Sequence, residues 1–203
     1  MESENMSFSH SVDQSHESRI GPGLRKYVCE LTLDPKTPHG VLSLSEGNRR
    51  VTFDGESQYR PGGPGKFTAW PQVLCSQGLS AQCYWEVEWT GNRAEIGVAY
   101  KAIRRNDDTA DCRLGANDKS WILCCTNNSS SAYHNKQESA VGLPPSSRVG
   151  VYLDWVGGIL SFYSICCGKM TPLHTFHSHF TQPVHPAFGL YTLGCSVHIC
   201  QLK

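Results

Sequence analysis

No apolar run in the 203 residues approaches the length that crosses a bilayer, and the first residues lack a basic start leading into an apolar stretch. A soluble, cytoplasmic protein without a secretion signal of its own is expected, and no membrane insertion. Charge of one sign is missing as well. Lys and Arg number 18, as do Asp and Glu, so no broad basic field exists to attract phosphate backbones or acidic lipid, and nucleic acid is not an expected partner. No Gly-x-Ser-x-Gly elbow or local cysteine-nucleophile signature occurs, which argues against an enzyme and leaves no catalytic residue to name. C-x2-C spacing is absent too. Although His174, His177, His179 and His185 crowd one stretch, a tetrahedral structural zinc site lacks its usual ligands, and no metal or cofactor is expected.

Long helical periodicity is the last absence, and strand alternation takes its place. In Gln82-Cys83-Tyr84-Trp85-Glu86-Val87-Glu88-Trp89, an extended backbone puts Trp85, Val87 and Trp89 on one face and two carboxylates on the other. Thr90-Gly91-Asn92 turns the chain, and Glu95 to Tyr100 alternates again. Val149, Val151, Leu153 and Trp155 alternate up to Gly157-Gly158, so Arg148 to Ile165 reads as a hairpin. Short strands are also expected at Val41 to Leu44, Arg49 to Phe53, Ser120 to Cys125, from Ala132, Ala187 to Tyr191 and Val197 to Leu202. His174 to Phe180 reads as a looser region. About a dozen short strands with frequent turn signals indicate an all-β fold, a two-layer antiparallel sandwich.

Residues 1–23 are polar and closed by Gly21-Pro22-Gly23, which reads as a disordered linker, so that the ordered domain is 24–203. That abrupt tail is what a junction to an attached domain in a longer parent protein would look like. Lys101 to Lys119 mixes both charge signs without an apolar period and reads as a solvated loop. Ten cysteines without even spacing read as small buried hydrophobes in a reducing compartment. Alternation expects one member each of Cys124-Cys125 and Cys166-Cys167 to face the core. The irregular segment 54–71 carries Tyr59, Phe67 and Trp70. They either plug one end of the sandwich or stand exposed to meet a partner.

Three stretches, taken together, resemble one family. Leu31-Thr32-Leu33-Asp34-Pro35, Tyr84-Trp85-Glu86-Val87-Glu88, and Val151 to Trp155 continuing to Leu160-Ser161-Phe162-Tyr163 are similar, in order and separation, to the signature motifs of the B30.2 (PRY-SPRY) domain. Further likeness runs through Arg104-Arg105, Cys112-Arg113-Leu114-Gly115, Asn117 to Trp121 and Pro186-Ala187-Phe188-Gly189. These details are most like the fish forms attached to tripartite-motif ubiquitin ligases, NOD-like receptors and stonefish-type toxins. The resemblance implies a PRY part at about 24–78 and a SPRY part at about 79–203. It also implies a protein or peptide ligand held in a loop-formed pocket, without catalysis, in innate immune sensing or in the choice of ubiquitination targets.

Carried over by position, the resemblance puts binding residues at Trp70, before Pro71-Gln72-Val73-Leu74, at Glu95, before Ile96-Gly97-Val98, and at Tyr191. Two aromatic positions of antibody-binding relatives fall on Cys124 and Thr126, which are not aromatic, so antibody binding does not carry over. Trp121, whose strand leads toward the pocket, and Tyr133 complete the candidate set with Tyr59 and Phe67. An alternative is a small-anion pocket for phosphorylated metabolites, as in butyrophilin relatives, using Arg104, Arg105 and Arg113.

Overall fold

The computed structural model describes residues 23–55 and 63–202. Tyr59 and, Gly23 apart, the expected linker lie outside them. Thirteen strands and two short 3-10 turns are formed among the described residues, in two antiparallel sheets. The first sheet runs, in spatial order, β1 (Leu42–Ser45), β2 (Arg50–Phe53), β13 (Ser196–Ile199), β4 (Gln82–Thr90), β9 (Arg148–Asp154), β10 (Ile159–Cys166) and β11 (Lys169–His177). The second runs β3 (Gln72–Leu74), β12 (Val184–Gly189), β5 (Arg93–Tyr100), β6 (Ser120–Thr126), β7 (Ser130–His134) and β8 (Gln137–Ala140). The sandwich expected from alternation is therefore the fold. The hairpin expected over Arg148 to Ile165 is β9 and β10, with Gly158 at φ +69° in its turn.

Between the sheets lies the main core. Trp85, Val87 and Trp89 of β4 meet Ile96, Val98, Trp121, Leu123 and Phe188 from the second sheet. A second apolar cluster of Phe67, Leu74, Ala99, Ile103, Leu114, Ile122 and Ala187 sits on the outer face of β3, β12, β5 and β6, as their period-two alternation requires. Each such Leu, Ile or Phe contributes about 1.5–3 kcal/mol when fully buried, so this cluster fastens its cover firmly.

That cover is the segment 101–119, which corrects the solvated-loop expectation. Ile103, Cys112 and Leu114 are buried beneath it. Its backbone is tied down by buried Gln72, whose Nε2 donates to the Cys112 carbonyl (2.8 Å) and whose Oε1 accepts from the Leu114 N–H (2.8 Å). Because β6 is enclosed on both faces, Cys124 and Cys125 are both buried. Cys166 and Cys167 are instead both exposed, at the tight turn joining β10 to β11, where Cys167 has φ +54°. Neither pair splits between core and solvent as alternation expected. The region expected to be loose, His174 to Phe180, is strand as far as His177, since β11 pairs with β10 along its length.

Alternation also puts the β4 carboxylates outside, yet Glu86 is fully buried. Tyr84 donates its hydroxyl to Glu86 Oε2 (3.0 Å), and Arg148 Nε meets Oε1 at 2.7 Å. Gly150, facing Glu86 on β9, leaves the space that the Tyr84 hydroxyl occupies.

Gly97 in β5 has the tightest backbone environment, since a Cβ there would run into the Trp121 carbonyl of β6. Gly97→Ala is expected to cost about 3 kcal/mol or more, a fall in melting temperature on the order of 10 °C. A thermal melt followed by circular dichroism measures it, and an unchanged midpoint would refute the close approach.

Candidate binding cleft

Where the covering segment meets the second sheet, a cleft of about 180 Å³ opens. Strand β5 contributes Arg93 and Glu95. The covering segment supplies Arg113 and the apolar floor of Leu114 and Ala116, while Tyr133 of β7 and Lys136 of the following turn close the far side.

Glu95 is only 3% exposed. Arg93 Nη2 lies 2.8 Å from its Oε1, and Oε2 accepts the Tyr191 hydroxyl at 3.1 Å. Gly189 faces Glu95 on β12, and a side chain at 189 would contact the carboxylate. Burial raises the Glu95 carboxyl above the ordinary carboxylate range, although Arg93, Arg113 and Tyr191 pull in the opposite direction. Burial likewise pushes the Tyr191 phenol and the Cys124 thiol upward.

Rings and guanidinium groups alternate along one wall. Arg93 lies 5.3 Å from the Tyr191 ring centre, and Arg113 lies 5.6 Å from that ring and 4.9 Å from the Trp70 ring. Distances of this size bring the ring quadrupoles to bear on the cations. The half-buried Trp70 is further fixed by its Nε1, which donates to the Thr109 carbonyl at 3.2 Å. Tyr133 donates its hydroxyl to Glu138 Oε1 at 2.9 Å.

Of the candidates read from sequence, Glu95 and Tyr133 line this cleft, Trp70 and Tyr191 pack against its Arg113, and Cys124 is the β6 partner of Glu95. Phe67 does not: it is fully buried in the second cluster with Arg105 over its ring, so it plugs the sandwich end. Trp121 points between the sheets, stacked on His134 at 4.6 Å with Nε1 bonded to Ser178 Oγ. Thr126 closes its own turn by accepting from the Ser129 N–H.

The three arginines of the small-anion reading separate. Arg104 pairs with Asp107 and Asp111, Arg105 donates to the Gly65 and Lys101 carbonyls, and only Arg113 reaches the cleft. Arg93 and Lys136 were not singled out from sequence. Arg93 had a signal, because it sits two residues before Glu95 and a strand puts both on one face.

Elsewhere, Glu88, His198 and Cys200 offer atoms within 4.8 Å of one another on the first sheet. Glu88 is engaged by Arg148 and His198 by Glu46, which makes this an ion-pair row across strands.

Two family models match the chain, the SPRY-associated domain (PRY) over residues 31–79 and the SPRY domain over residues 82–202. Stonustoxin subunit beta of Synanceia horrida is 44% identical over 168 residues, covering 81% of this chain and 24% of the toxin subunit. Tripartite motif-containing protein 16 of Mus musculus is 34% identical over 189 residues, covering 92% of this chain and 34% of that protein. The chain thus spans about a quarter to a third of these relatives' length. Among solved structures, the crystal structure of the TRIM65 PSpry domain superposes with a TM-score of 0.78 at 34% identity, over 87% of this chain and 92% of that one. No described helix is long and apolar enough to cross a membrane.

A carboxyl raised by burial lets the folded state hold its proton to higher pH than the unfolded chain does. The Glu95 contribution to stability is therefore greatest below the ordinary value of 4.5 and declines as pH climbs through the raised midpoint. Glu95→Gln is expected to remove this part of the slope, read from urea unfolding between about pH 4 and 7. An identical slope in the variant would show that Glu95 titrates normally.

Proposed function

Since this chain belongs to the B30.2 (PRY-SPRY) family, whose domains are protein-interaction modules and not enzymes, we propose that the cleft between β5, β7 and the covering segment is where it binds a peptide or a partner's surface. The observation that carries this reading is that Arg113 and Tyr133 line one concavity while Trp70 and Tyr191, from two other parts of the chain, pack their rings against the Arg113 guanidinium. Aromatic rings and arginine are the usual anchors of a binding hot spot, and here packing holds them in place before a partner arrives.

The relatives' names support a reading of the wider role. One is an E3 ubiquitin-protein ligase, TRIM65 of Mus musculus, 37% identical over 172 residues. We infer that the domain selects a target for an attached activity, in innate immune sensing or in ubiquitination. A cytoplasmic setting belongs to the same proposal and is supported by ten thiols, all of them free. A pocket for a small phosphorylated metabolite is the competing reading, supported by the cations Arg93, Arg113 and Lys136 at the cleft.

Trp70→Ala is expected to weaken binding of a partner recovered with the domain by about 1–3 kcal/mol while moving the melting temperature little. Calorimetric titration of wild type and variant with that partner decides it. Unchanged affinity would move the binding surface elsewhere, and a large loss of melting temperature would make Trp70 a structural residue.

A further inference from the structure

By sequence position Glu95 is the charged group of the binding site, which would call for a cationic partner. The geometry reverses that sign. Both Glu95 oxygens are held by the chain itself, one by Arg93 and one by Tyr191, and the residue is all but sealed from solvent. A carboxylate so occupied has little left to offer an incoming group.

The charges that do face the opening are Arg113 and Lys136. Arg113 touches the rings of Trp70 and Tyr191 and feels the Glu95 charge, but forms no salt bridge among the described residues. Lys136 is exposed on the turn after β7 and forms none either. Glu138, which is not among the lining residues, accepts the Tyr133 hydroxyl. Three cations thus line the cleft against one lining carboxylate, and that one is already taken by Arg93.

A guanidinium flanked by two aromatic rings has little rotational freedom left to lose, and its planar fork matches a carboxylate with two parallel hydrogen bonds. Leu114 and Ala116 beside it give an apolar floor, which suits a ligand with a short apolar group next to the charge. A free phosphate has no use for that floor.

We infer that the cleft recognises its partner by an Asp or Glu side chain next to an apolar residue, with the carboxylate against Arg113 and Lys136 and the apolar group on Leu114 and Ala116. This rests on the preceding reading that the cleft is the binding site.

The test selects binders from a random dodecapeptide library on the whole chain and resynthesises them with an amidated C-terminus, so that the only carboxylates are side chains. Asp or Glu is expected at one fixed position, beside an apolar residue. Exchanging that acid for its amide, or making Arg113→Gln, should weaken binding about tenfold, and combining the two should cost little more than either alone. Lys136→Asn should weaken it about threefold, asparagine being suited to the φ of +65° at this position. Affinity should fall with added salt. Peptides without an acidic position that still lose binding on Trp70→Ala would overturn this inference and leave the cleft as the site. Acidic peptides indifferent to Trp70→Ala and Arg113→Gln would overturn both. Displacement by inorganic pyrophosphate at comparable concentration would replace the peptide carboxylate by a small anion, and a selection that returns no binders counts against both readings.

Discussion

Strands β5 and β6 carry apolar side chains on both faces, and one sheet partner covers only the inner of them. The outer face, with Ala99, Ile122, Leu74 and Ala187, has to be shielded by chain that is neither strand nor helix. Gln72 makes this possible. Buried without exposure, it hydrogen-bonds the backbone of the covering segment on both sides of Arg113, so that irregular chain lies against a sheet without stranded polar groups. The cleft lies where that cover meets β7, with Gly115 close against Tyr133, and Arg113 stands at its edge because Cys112 and Leu114, its neighbours in sequence, are held down.

The sandwich was legible in the sequence because most of its strands have one wet face, and a wet face leaves alternation in the residue order. Legibility failed where a second layer covers the sheet. Cys124 and Cys125 break the pattern by both being inside, and the segment 101–119 hides three buried apolar side chains among charges with no period to betray them. Glu86 fails for a related reason: it lies on the outer face, but Tyr84 and Arg148 close over it.

At the cleft, Trp70, Glu95 and Tyr191 could be located by the residues around them in the chain. What sequence could not show was how they are used. Whether a carboxylate is offered to a partner or consumed internally depends on Arg93 and Tyr191, and Tyr191 lies 96 residues away along the chain. Lys136 was illegible altogether, being a single lysine in a polar turn whose place at the cleft is fixed by the pairing of β6 with β7 and by its N–H, which donates to the Gly115 carbonyl of the distant covering segment.

Gly189 holds a larger consequence than its size indicates. The room it leaves is what lets the Glu95 carboxylate withdraw from the surface. A bulkier residue there would lift the acid outward, turning a concealed negative charge into a displayed one beside Arg113. On the inference that the cleft takes acidic targets, such a replacement would give this scaffold a one-step route toward basic ones, without rebuilding a single wall.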